Sequence, residues 1–317
     1  MKIVTHEMIK KLHISAKDCY NWIDYAMKNR DIFINPHKTR VPLEGSNYFN
    51  VMPCVIPSDN RMGLKVVTRS EKRREEGKLN LDSKIMLYTY DTCELLAVMD
   101  ANYITTMRTA AVAVHTMLNM VMDYSVVSMI GLGNIGTSIG DILFELIKDR
   151  SVTVKLYKYK DQAERFVNRY ENKFSNVEFI YCDSYRELMA NSDVVISSIT
   201  YASEDFVPAD VYKRGCTVIP VHMRGFMDCD LHFDHVITSD LESIQGFKYY
   251  DKFNKLSLLN DVIFDPNKVR KNSDERVIVY NLGLALHDIL YASKIYDALG
   301  NIGDSDLKLD PSEFIYV

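Results

Sequence analysis

Three glycines at positions 131, 133 and 136 form the motif Gly-x-Gly-x-x-Gly, whose spacing suits the binding of a pyrophosphate. The motif follows the apolar run 126–130 and opens an apolar helical pattern, which is the context that dinucleotide binding requires. Gly131 would make the tight turn, Gly133 would let the backbone approach the phosphates, and Gly136 would let the helix pack on the strand. The helix N-terminus offers free N–H groups to anions, so Asn134 and Ile135 join the predicted site. The alternative is a glycine-rich turn without a ligand.

The residues that end the next apolar run indicate which dinucleotide to expect. NAD-binding chains usually place Asp or Glu there to bond the ribose 2′-hydroxyl, whereas this chain has Tyr157-Lys158-Tyr159-Lys160. Cations suit a 2′-phosphate, so Lys158 and Lys160 favour NADP(H). NAD(H) stays open because Asp161 follows directly, and in a further alternative both lysines merely face solvent.

These motifs lie in a region of alternating strands and helices. Apolar runs typical of strands buried on both faces occur at 126–130, 152–157, 177–181, 194–198, 217–221 and 236–238. The alternation predicts the doubly wound parallel sheet of a Rossmann domain, in which ligands bind beyond the carboxyl ends of the strands. Ser198, Thr200 and Val221 stand at such ends and are predicted to contact the nucleotide. His222 follows at once and could donate a proton, with packing or a backbone hydrogen bond as an equal alternative.

The segments on either side of this region predict a second domain. Residues 40–97 contain short runs rich in β-branched and aromatic residues, separated by Pro and Gly, which predict a small antiparallel sheet. Within it, the mixed-charge run 69–78 is expected to be a solvated loop, and a last helix at 284–299 could pack back on the N-terminal part. We therefore expect an α/β chain in which a Rossmann domain, residues 122–280, is inserted into a discontinuous α+β domain, residues 1–121 plus 281–317.

Composition narrows the partners and the compartment. The formal net charge of −5 argues against nucleic acid, because phosphate backbones are bound by basic surfaces. The cysteines form no Cys-x-x-Cys pair, and His232-x-x-His235 lacks a third ligand at a suitable spacing, so no metal is expected. No signal-peptide pattern opens the chain, and no apolar run approaches the roughly 18 residues of a membrane span, so we expect a cytoplasmic protein without a membrane segment.

A second signature precedes the glycine motif. It is the block Asp100-Ala101-x-x-Ile104-Thr105-x-x-Arg108-Thr109-Ala110-Ala111, preceded by Gly63-Leu64-Lys65, by Met52-Pro53 and by Arg40-Val41-Pro42. This combination resembles the ornithine cyclodeaminase/mu-crystallin family over most of the chain. The resemblance implies a Rossmann domain, a substrate domain built from both termini that also makes a homodimer, and hydride transfer between a nicotinamide cofactor and a small amino or imino acid.

Carried over by this resemblance, Arg40, Lys65 and Arg108 match the positions that bind the substrate carboxylate, and Met52 belongs to the same substrate site. A guanidinium binds a carboxylate through two parallel hydrogen bonds, and a buried lysine adds a point charge or a route for a proton. Lys65 is the first choice for proton transfer, with a pKa that burial and neighbouring arginines would lower. For each cation the alternative is a surface ion pair.

The segment Asn281-x-Gly283-x-Ala285-x-x-Asp288 resembles the part of the family's chain that returns toward the nicotinamide. Gly283 would allow a close approach there and is counted with the cofactor site. Asp288 would orient a neighbouring side chain.

Two positions depart from the ornithine-cyclizing members. Those members carry a Glu shortly before the Met-Pro pair, where this chain has Asn50, and an Asp after the fifth Rossmann strand, where our alignment places Arg224. Both acids would hold and activate the amine that closes the ring, so ornithine cyclization is disfavoured. Arg224 could instead bind a second carboxylate, of a dicarboxylic or an opine-like amino acid. In the alternatives, Asp228 takes over the role of the lost acid, or Arg224 pairs with Asp228 and touches no ligand.

The sequence therefore supports three functions in descending order. The first is an NAD(P)-dependent oxidoreductase of amino or imino acids. The second is an ammonia-releasing ornithine cyclodeaminase, and the third is a non-catalytic protein that binds NADPH and a small ligand.

Overall fold

The computed structural model describes residues 1–121, 123–200, 202–300 and 302, so residues 303–317 of the predicted terminal domain lie outside it. The chain forms two compact units. The first comprises Met1–Ile14, Asp31–Thr105 and Ala285–Val317, and the second comprises Ser15–Arg30 and Thr106–Leu284. The sequence-based division assigns residues 15–30, 106–121 and 281–284 to the terminal domain, whereas the structure groups these three segments with the second unit.

The first unit is built on a sheet with six strands among the described residues: β1 (Lys2–Val4), β2 (Thr39–Pro42), β3 (Tyr48–Ile56), β4 (Arg61–Arg69), β5 (Leu81–Thr89) and β6 (Leu95–Asp100). Their order is β1-β6-β5-β4-β3-β2, and neighbouring strands are antiparallel except for the parallel pair of β1 and β6. The expected antiparallel sheet is therefore confirmed. The prediction of a loop over 69–78 is wrong for residues 69 and 71–75. Arg69 ends β4, and Glu71–Glu75 form the short helix α3.

One face of this sheet is the core of the first unit. Residues 50, 52, 54 and 56 of β3 are buried while those between them are not, as the two-residue period of a strand requires. Helix α11 (Ala285–Leu299) covers β3, β4 and β5, and buries Leu286, Ile289 and Leu290. This helix matches the one expected at 284–299. The short helix α1 (His6–Lys10) follows β1.

The second unit is built on a wholly parallel sheet with eight strands among the described residues: β7 (Val126–Ile130), β8 (Val152–Tyr157), β9 (Val177–Cys182), β10 (Val194–Ser197), β11 (Thr217–Pro220), β12 (His235–Thr238), β13 (Leu256–Leu258) and β14 (Val277–Tyr280). Their order is β13-β12-β14-β11-β10-β7-β8-β9. The chain runs outward from β7 through β8 to β9 and then returns to β10 on the other side. Such a reversal is where ligands bind in open parallel sheets, so the expected Rossmann fold is confirmed.

Helices accompany this sheet: α2 (Ala16–Lys28), α4 (Asn102–Met120), α5 (Asn134–Leu146), α6 (Gln162–Tyr170), α7 (Tyr185–Met189), α8 (Leu241–Ile244), α9 (Leu259–Val262) and α10 (Pro266–Val269). Helix α2 has the Ser15–Asp18 capping box, buries Cys19, Ile23, Ala26 and Met27 on one face, and packs against α5. This apolar contact is why residues 15–30 group with the second unit. None of the helices among the described residues is both long and apolar enough to cross a membrane.

Candidate active site

The turn after β7 has the backbone that its glycines predict. Gly131 has a φ of +85°, and a Cβ there would lie 2.7 Å from the backbone nitrogen of Ile199. A Cβ at Gly136 would lie 2.3 Å from the carbonyl oxygen of Gly131. Both distances are far shorter than real Cβ contacts, so these two positions admit only glycine.

Gly133 differs from its neighbours, because a Cβ there would meet nothing within 4 Å. It immediately precedes α5, a helix of 13 residues, and no side chain caps the helix start. Gly133 and Asn134 are exposed and Ile135 is half-buried. Open space beside the uncapped N–H groups of a helix is the environment that a pyrophosphate needs, so these residues fit a dinucleotide.

Ser198 ties the turn to the neighbouring strand. Its hydroxyl donates a hydrogen bond of 2.6 Å to the carbonyl oxygen of Gly131, which joins the carboxyl ends of β7 and β10. Val221 donates its backbone N–H to the carbonyl oxygen of Ser197 at 2.9 Å, and Thr200 is exposed just beyond β10. Ser198 thus stabilises the glycine turn by a hydrogen bond. The contacts of Thr200 and Val221 with the nucleotide stay predictions.

Lys158 and Lys160 lie beyond the carboxyl end of β8. Lys158 is paired with Asp183, its Nζ lying 3.1 Å from a carboxylate oxygen, and this partner raises the pKa of the lysine. Lys160 has a φ of +53° and stands over the Tyr159 ring at 5.5 Å. Asp183 is a site candidate that sequence reasoning missed, although it directly follows the apolar run of β9. It places an acid beside Lys158, so this corner offers groups for either a phosphate or a ribose hydroxyl.

His222 has well-defined partners on both ring nitrogens. Its Nδ1 accepts the backbone N–H of Arg224 at 3.2 Å, which leaves the proton on Nε2, 2.6 Å from the Ser197 hydroxyl. Burial lowers the pKa of the imidazole to about 4, so the ring is neutral at pH 7. These contacts favour a role in positioning the loop after β11, and proton donation by His222 stays a prediction.

The loop after β11 carries Arg224, one of the two departures from the cyclizing members, and Asp228, the acid that could take over the lost role. Arg224 and Asp228 are both exposed, and the Asp228 carboxylate lies 3.5 Å from the Nζ of Lys248. The Asp228 backbone N–H donates to the carboxylate of Asp205 at 2.9 Å. An acid so exposed has little of the burial that tunes a catalytic carboxyl group, so the geometry lends no support to the catalytic role predicted for Asp228.

Arg108 is a buried arginine on α4 whose guanidinium packs against Gly283. A Cβ at position 283 would lie 2.8 Å from Nη2 and 3.0 Å from Nη1 of this guanidinium. Within this unit, the group that lies close to Gly283 is the Arg108 guanidinium, and the predicted approach of Gly283 to the nicotinamide stays a prediction. Gly283 also lies two residues past Asn281, which accepts a hydrogen bond of 3.2 Å from Thr116 of α4.

In the first unit, four predicted substrate residues share one sheet face. Strand register pairs Arg40 of β2 with Asn50 of β3, and Met52 of β3 with Lys65 of β4. Because directly opposed residues of antiparallel strands point to the same side, all four side chains lie on the face that α11 covers. Met52 and Asn50 are buried there, and the Oδ1 of Asn50 has no hydrogen-bond partner among the described residues.

Lys65 forms a buried ion pair with Asp288 of α11. Its Nζ lies 2.7 Å from Oδ2 of Asp288, and the two side chains are 1% and 0% exposed. Asp288 was predicted to orient a neighbouring side chain. The neighbour that it contacts is Lys65, the residue predicted to transfer the proton. The sequence-based prediction for Lys65 considered burial and neighbouring arginines but no acid. A carboxylate next to a lysine favours the ammonium form of the lysine.

Arg40 is exposed at the edge strand, with its guanidinium 4.1 Å above the ring of Tyr48. Tyr48 is two residues from Asn50 on β3 and therefore shares its face. Sequence reasoning missed Tyr48 because an aromatic residue in a strand normally signals packing alone.

Known proteins resemble this chain in sequence and in fold. The model of the ornithine cyclodeaminase/mu-crystallin family matches residues 2–302. Nodulation efficiency protein NfeD of Rhizobium meliloti is 25% identical over 279 residues, which are 86% of this chain and 86% of that protein. N-((2S)-2-amino-2-carboxyethyl)-L-glutamate dehydrogenase of Staphylococcus aureus is 26% identical over 266 residues, 77% of each. The structure of an archaeal alanine dehydrogenase dimer with bound NAD aligns at 21% identity with a TM-score of 0.82, covering 96% of this chain and 98% of that one.

Proposed function

This chain belongs to the ornithine cyclodeaminase/mu-crystallin family, and from that premise we propose that it is an oxidoreductase that transfers a hydride between a nicotinamide dinucleotide and an amino or imino acid. The observation that carries the proposal is the Lys65–Asp288 ion pair, at 2.7 Å and with both side chains at most 1% exposed. A buried ion pair is expensive to desolvate and is often no more stabilising than apolar residues of similar volume. A chemical role for this pair accounts for its presence better than stability does.

We assign to Lys65 the proton that an imine needs when it is reduced. Reduction adds one proton to the imine nitrogen and one hydride to the imine carbon. Asp288 holds Lys65 as an ammonium group, so Nζ can donate the proton as a general acid and regain one from solvent afterwards. When bound, the nicotinamide would supply the hydride. The acid partner therefore supports the reductive direction, whereas oxidation of an amine would require a neutral lysine.

The second unit supplies the nucleotide half of this proposal through the glycine turn and the start of α5. We favour NADP(H), because Lys158 and Lys160 suit a 2′-phosphate, and Asp183 and Asp161 keep NAD(H) as the alternative. The Kd values of NADPH and NADH in the Lys158→Glu variant decide this point. We expect the variant to bind NADPH about tenfold or more weakly with little change for NADH, since a phosphate–cation contact is replaced by a repulsion. An equal change in the Kd values of NADPH and NADH would instead favour NAD(H).

For the substrate, we favour an acid with more than one carboxylate. Asn50 offers an amide where cyclizing members have a carboxylate, and Arg224 offers a cation, so the chain lacks two handles for the ornithine side-chain amine. The Staphylococcus aureus relative acts, by its name, on a secondary amine that carries several carboxylates. Arg108 stays a predicted carboxylate ligand, supported by its burial.

We also propose that the chain forms a homodimer through the first unit. On the sheet face away from α11, Val41 of β2 and Phe49 of β3 stand opposite each other and are 44% and 38% exposed. Leu64, Val66 and Met86 on the same side are only half-buried. Such an apolar sheet face gains stability when a second copy covers it. Light scattering that gives the mass of one chain would contradict this proposal.

The function is tested by a substrate panel with a matched pair of variants. Oxidation of NADPH or NADH is followed with Δ1-pyrroline-2-carboxylate, with pyruvate plus ammonia, and with pairs of amino acids and 2-oxo acids. Lys65→Met should lower kcat/KM about 100-fold or more, since general acids contribute at least this much, and should leave nucleotide affinity unchanged. Lys294→Met is the control, because Lys294 of α11 also pairs with an aspartate of the first unit, Asp59 at 3.0 Å, but is 34% exposed.

Two results would replace this function by another. Tight nucleotide binding without turnover of any substrate would favour the non-catalytic binding protein. Formation of proline from ornithine without added reductant would establish cyclodeamination.

A further inference from the structure

Arg69 belongs to the substrate face of the first unit. It is the last residue of β4, and strand register places it directly opposite Tyr48 of β3. It lies four residues from Lys65 on the same strand, so both side chains point to the same face. Tyr48 also carries the guanidinium of Arg40 at 4.1 Å. Two arginines from the neighbouring strands β2 and β4 therefore lie beside Tyr48, and the charges of both oppose the rise that burial causes in its pKa.

Arg69 carries a buried hydrogen-bond donor that has no acceptor among the described residues. None of the ion pairs between described residues includes Arg69, and its buried Nε donates to no atom in the described part of the chain. Asp82 follows Leu81, the residue opposite Arg69, so it points to the other sheet face, where it pairs with Lys84 at 2.7 Å and with Arg73 at 3.8 Å. A buried donor without an acceptor destabilises a fold by about 1–3 kcal/mol, and by more when it is charged. Arg69 can therefore gain an acceptor when an anionic ligand binds to this face.

The amide of Asn50 complements this arrangement. Asn50 is 8% exposed, and in the register it lies opposite Val67, two residues from Arg69 on the same strand. Its Oδ1 has no hydrogen-bond partner in the described residues. An acceptor at Asn50 and a donor at Arg69 suit a ligand that presents both an N–H group and an anionic group, as an amino acid with a second carboxylate does.

We propose that Arg69 and Tyr48 form a subsite for the second carboxylate of the substrate, together with Arg40. This assigns Arg40 to the far end of the substrate instead of the reacting carboxylate to which the family resemblance matched it. The α-carbons of Lys65 and Arg69 are about 13 Å apart along an extended strand. That span suits a molecule with carboxylates at opposite ends, such as a long dicarboxylic amino acid or a secondary amine made from an amino acid and a 2-oxo acid. This inference rests on the proposed function, because it assumes that the same face binds the reacting end of the substrate.

Pairs of acids that differ only at the far end test the subsite. 2-Oxo dicarboxylates of five, six and seven carbons are each compared by calorimetry with the 2-oxo monocarboxylate of the same length, in the presence of the bound nucleotide. For at least one length, we expect the wild-type chain to bind the dicarboxylate about tenfold or more tightly, as a charge-assisted hydrogen bond provides. Arg69→Gln should lose this preference and keep its affinity for the monocarboxylate.

Arg73→Gln is the matched control, because it removes the same charge from the exposed helix that follows β4. It should keep the preference. Thermal unfolding of both variants reports whether either substitution perturbs the fold. If the preference is absent from the wild-type chain, or persists in Arg69→Gln, the subsite is refuted while the proposed function stands. If monocarboxylates neither bind nor react, the proposed function fails and the subsite fails with it.

Discussion

Substitution of Gly283 by alanine tests whether the position of the Arg108 guanidinium matters for substrate binding. The backbone at 283 has no positive φ, so alanine introduces no strain there. Its Cβ would lie 2.8 Å from Nη2 of Arg108, and ordinary contacts begin at 3.4 Å. The guanidinium must therefore move by about 0.6 Å, which a long side chain can do without unfolding the protein.

The cost of this shift follows from the precision that carboxylate binding demands. A misplacement of about 1 Å in a substrate-positioning group costs about 100-fold in rate, so a shift of about 0.6 Å should cost about 10- to 20-fold in kcat/KM. The loss should fall mainly on KM, because Arg108 is predicted to hold the carboxylate throughout the reaction. Steady-state kinetics with the substrate that the panel identifies provide the measurement.

Gly246→Ala is the control for this experiment. Gly246 lies in the same unit, a Cβ there would meet nothing within 4 Å, and its φ is not positive. Both variants should bind the nucleotide and unfold like the wild-type chain. If Gly283→Ala stays within twofold of Gly246→Ala in kcat/KM, the position of Arg108 beside Gly283 has no part in substrate binding, and the role assigned to Arg108 is refuted.

Three further predictions concern stability. Asp288→Asn should lower the free energy of unfolding in urea by about 3–5 kcal/mol, because the buried Lys65 loses its counter-charge. A Lys65→Met/Asp288→Leu double variant should regain this stability but show no activity. Full activity of the double variant would refute the chemical role of the pair. Burial raises the pKa of Asp230 to about 8, well above its value in the unfolded chain. The contribution of Asp230 to stability should therefore be fully present below about pH 4 and be lost, by up to about 5 kcal/mol, as the pH rises to about 8. Asp230→Asn should remove this component of the pH dependence in urea titrations, and an unchanged pH dependence would contradict the assignment. Gly131→Ala should destabilise the chain by about 1–3 kcal/mol and abolish nucleotide binding in fluorescence titrations. The reason is that the φ of +85° at Gly131 and the backbone atoms around it exclude a Cβ. An unchanged nucleotide affinity would contradict the assigned site.

Local patterns are what the sequence alone could determine. The glycine turn could be predicted because a positive φ and a close approach of backbones are properties of neighbouring residues, and Gly131 and Gly136 have the geometry that their spacing requires. The strands of the second unit could be predicted because a parallel sheet covered on both faces needs continuous apolar runs. The departures at Asn50 and Arg224 were equally visible, since they need only a comparison of motifs.

Partners that are distant along the chain were decided only by the tertiary structure. The sequence indicated that Asp288 orients some neighbour, and folding made that neighbour Lys65 by packing α11 on the sheet. It indicated that Gly283 allows a close approach, and folding brought the Arg108 guanidinium there. Arg69 lay in a charged run that resembled a loop, and only strand register joined it to the substrate face. The physical reason is that turn geometry depends on local sterics, whereas strand register and helix packing depend on which apolar faces bury each other.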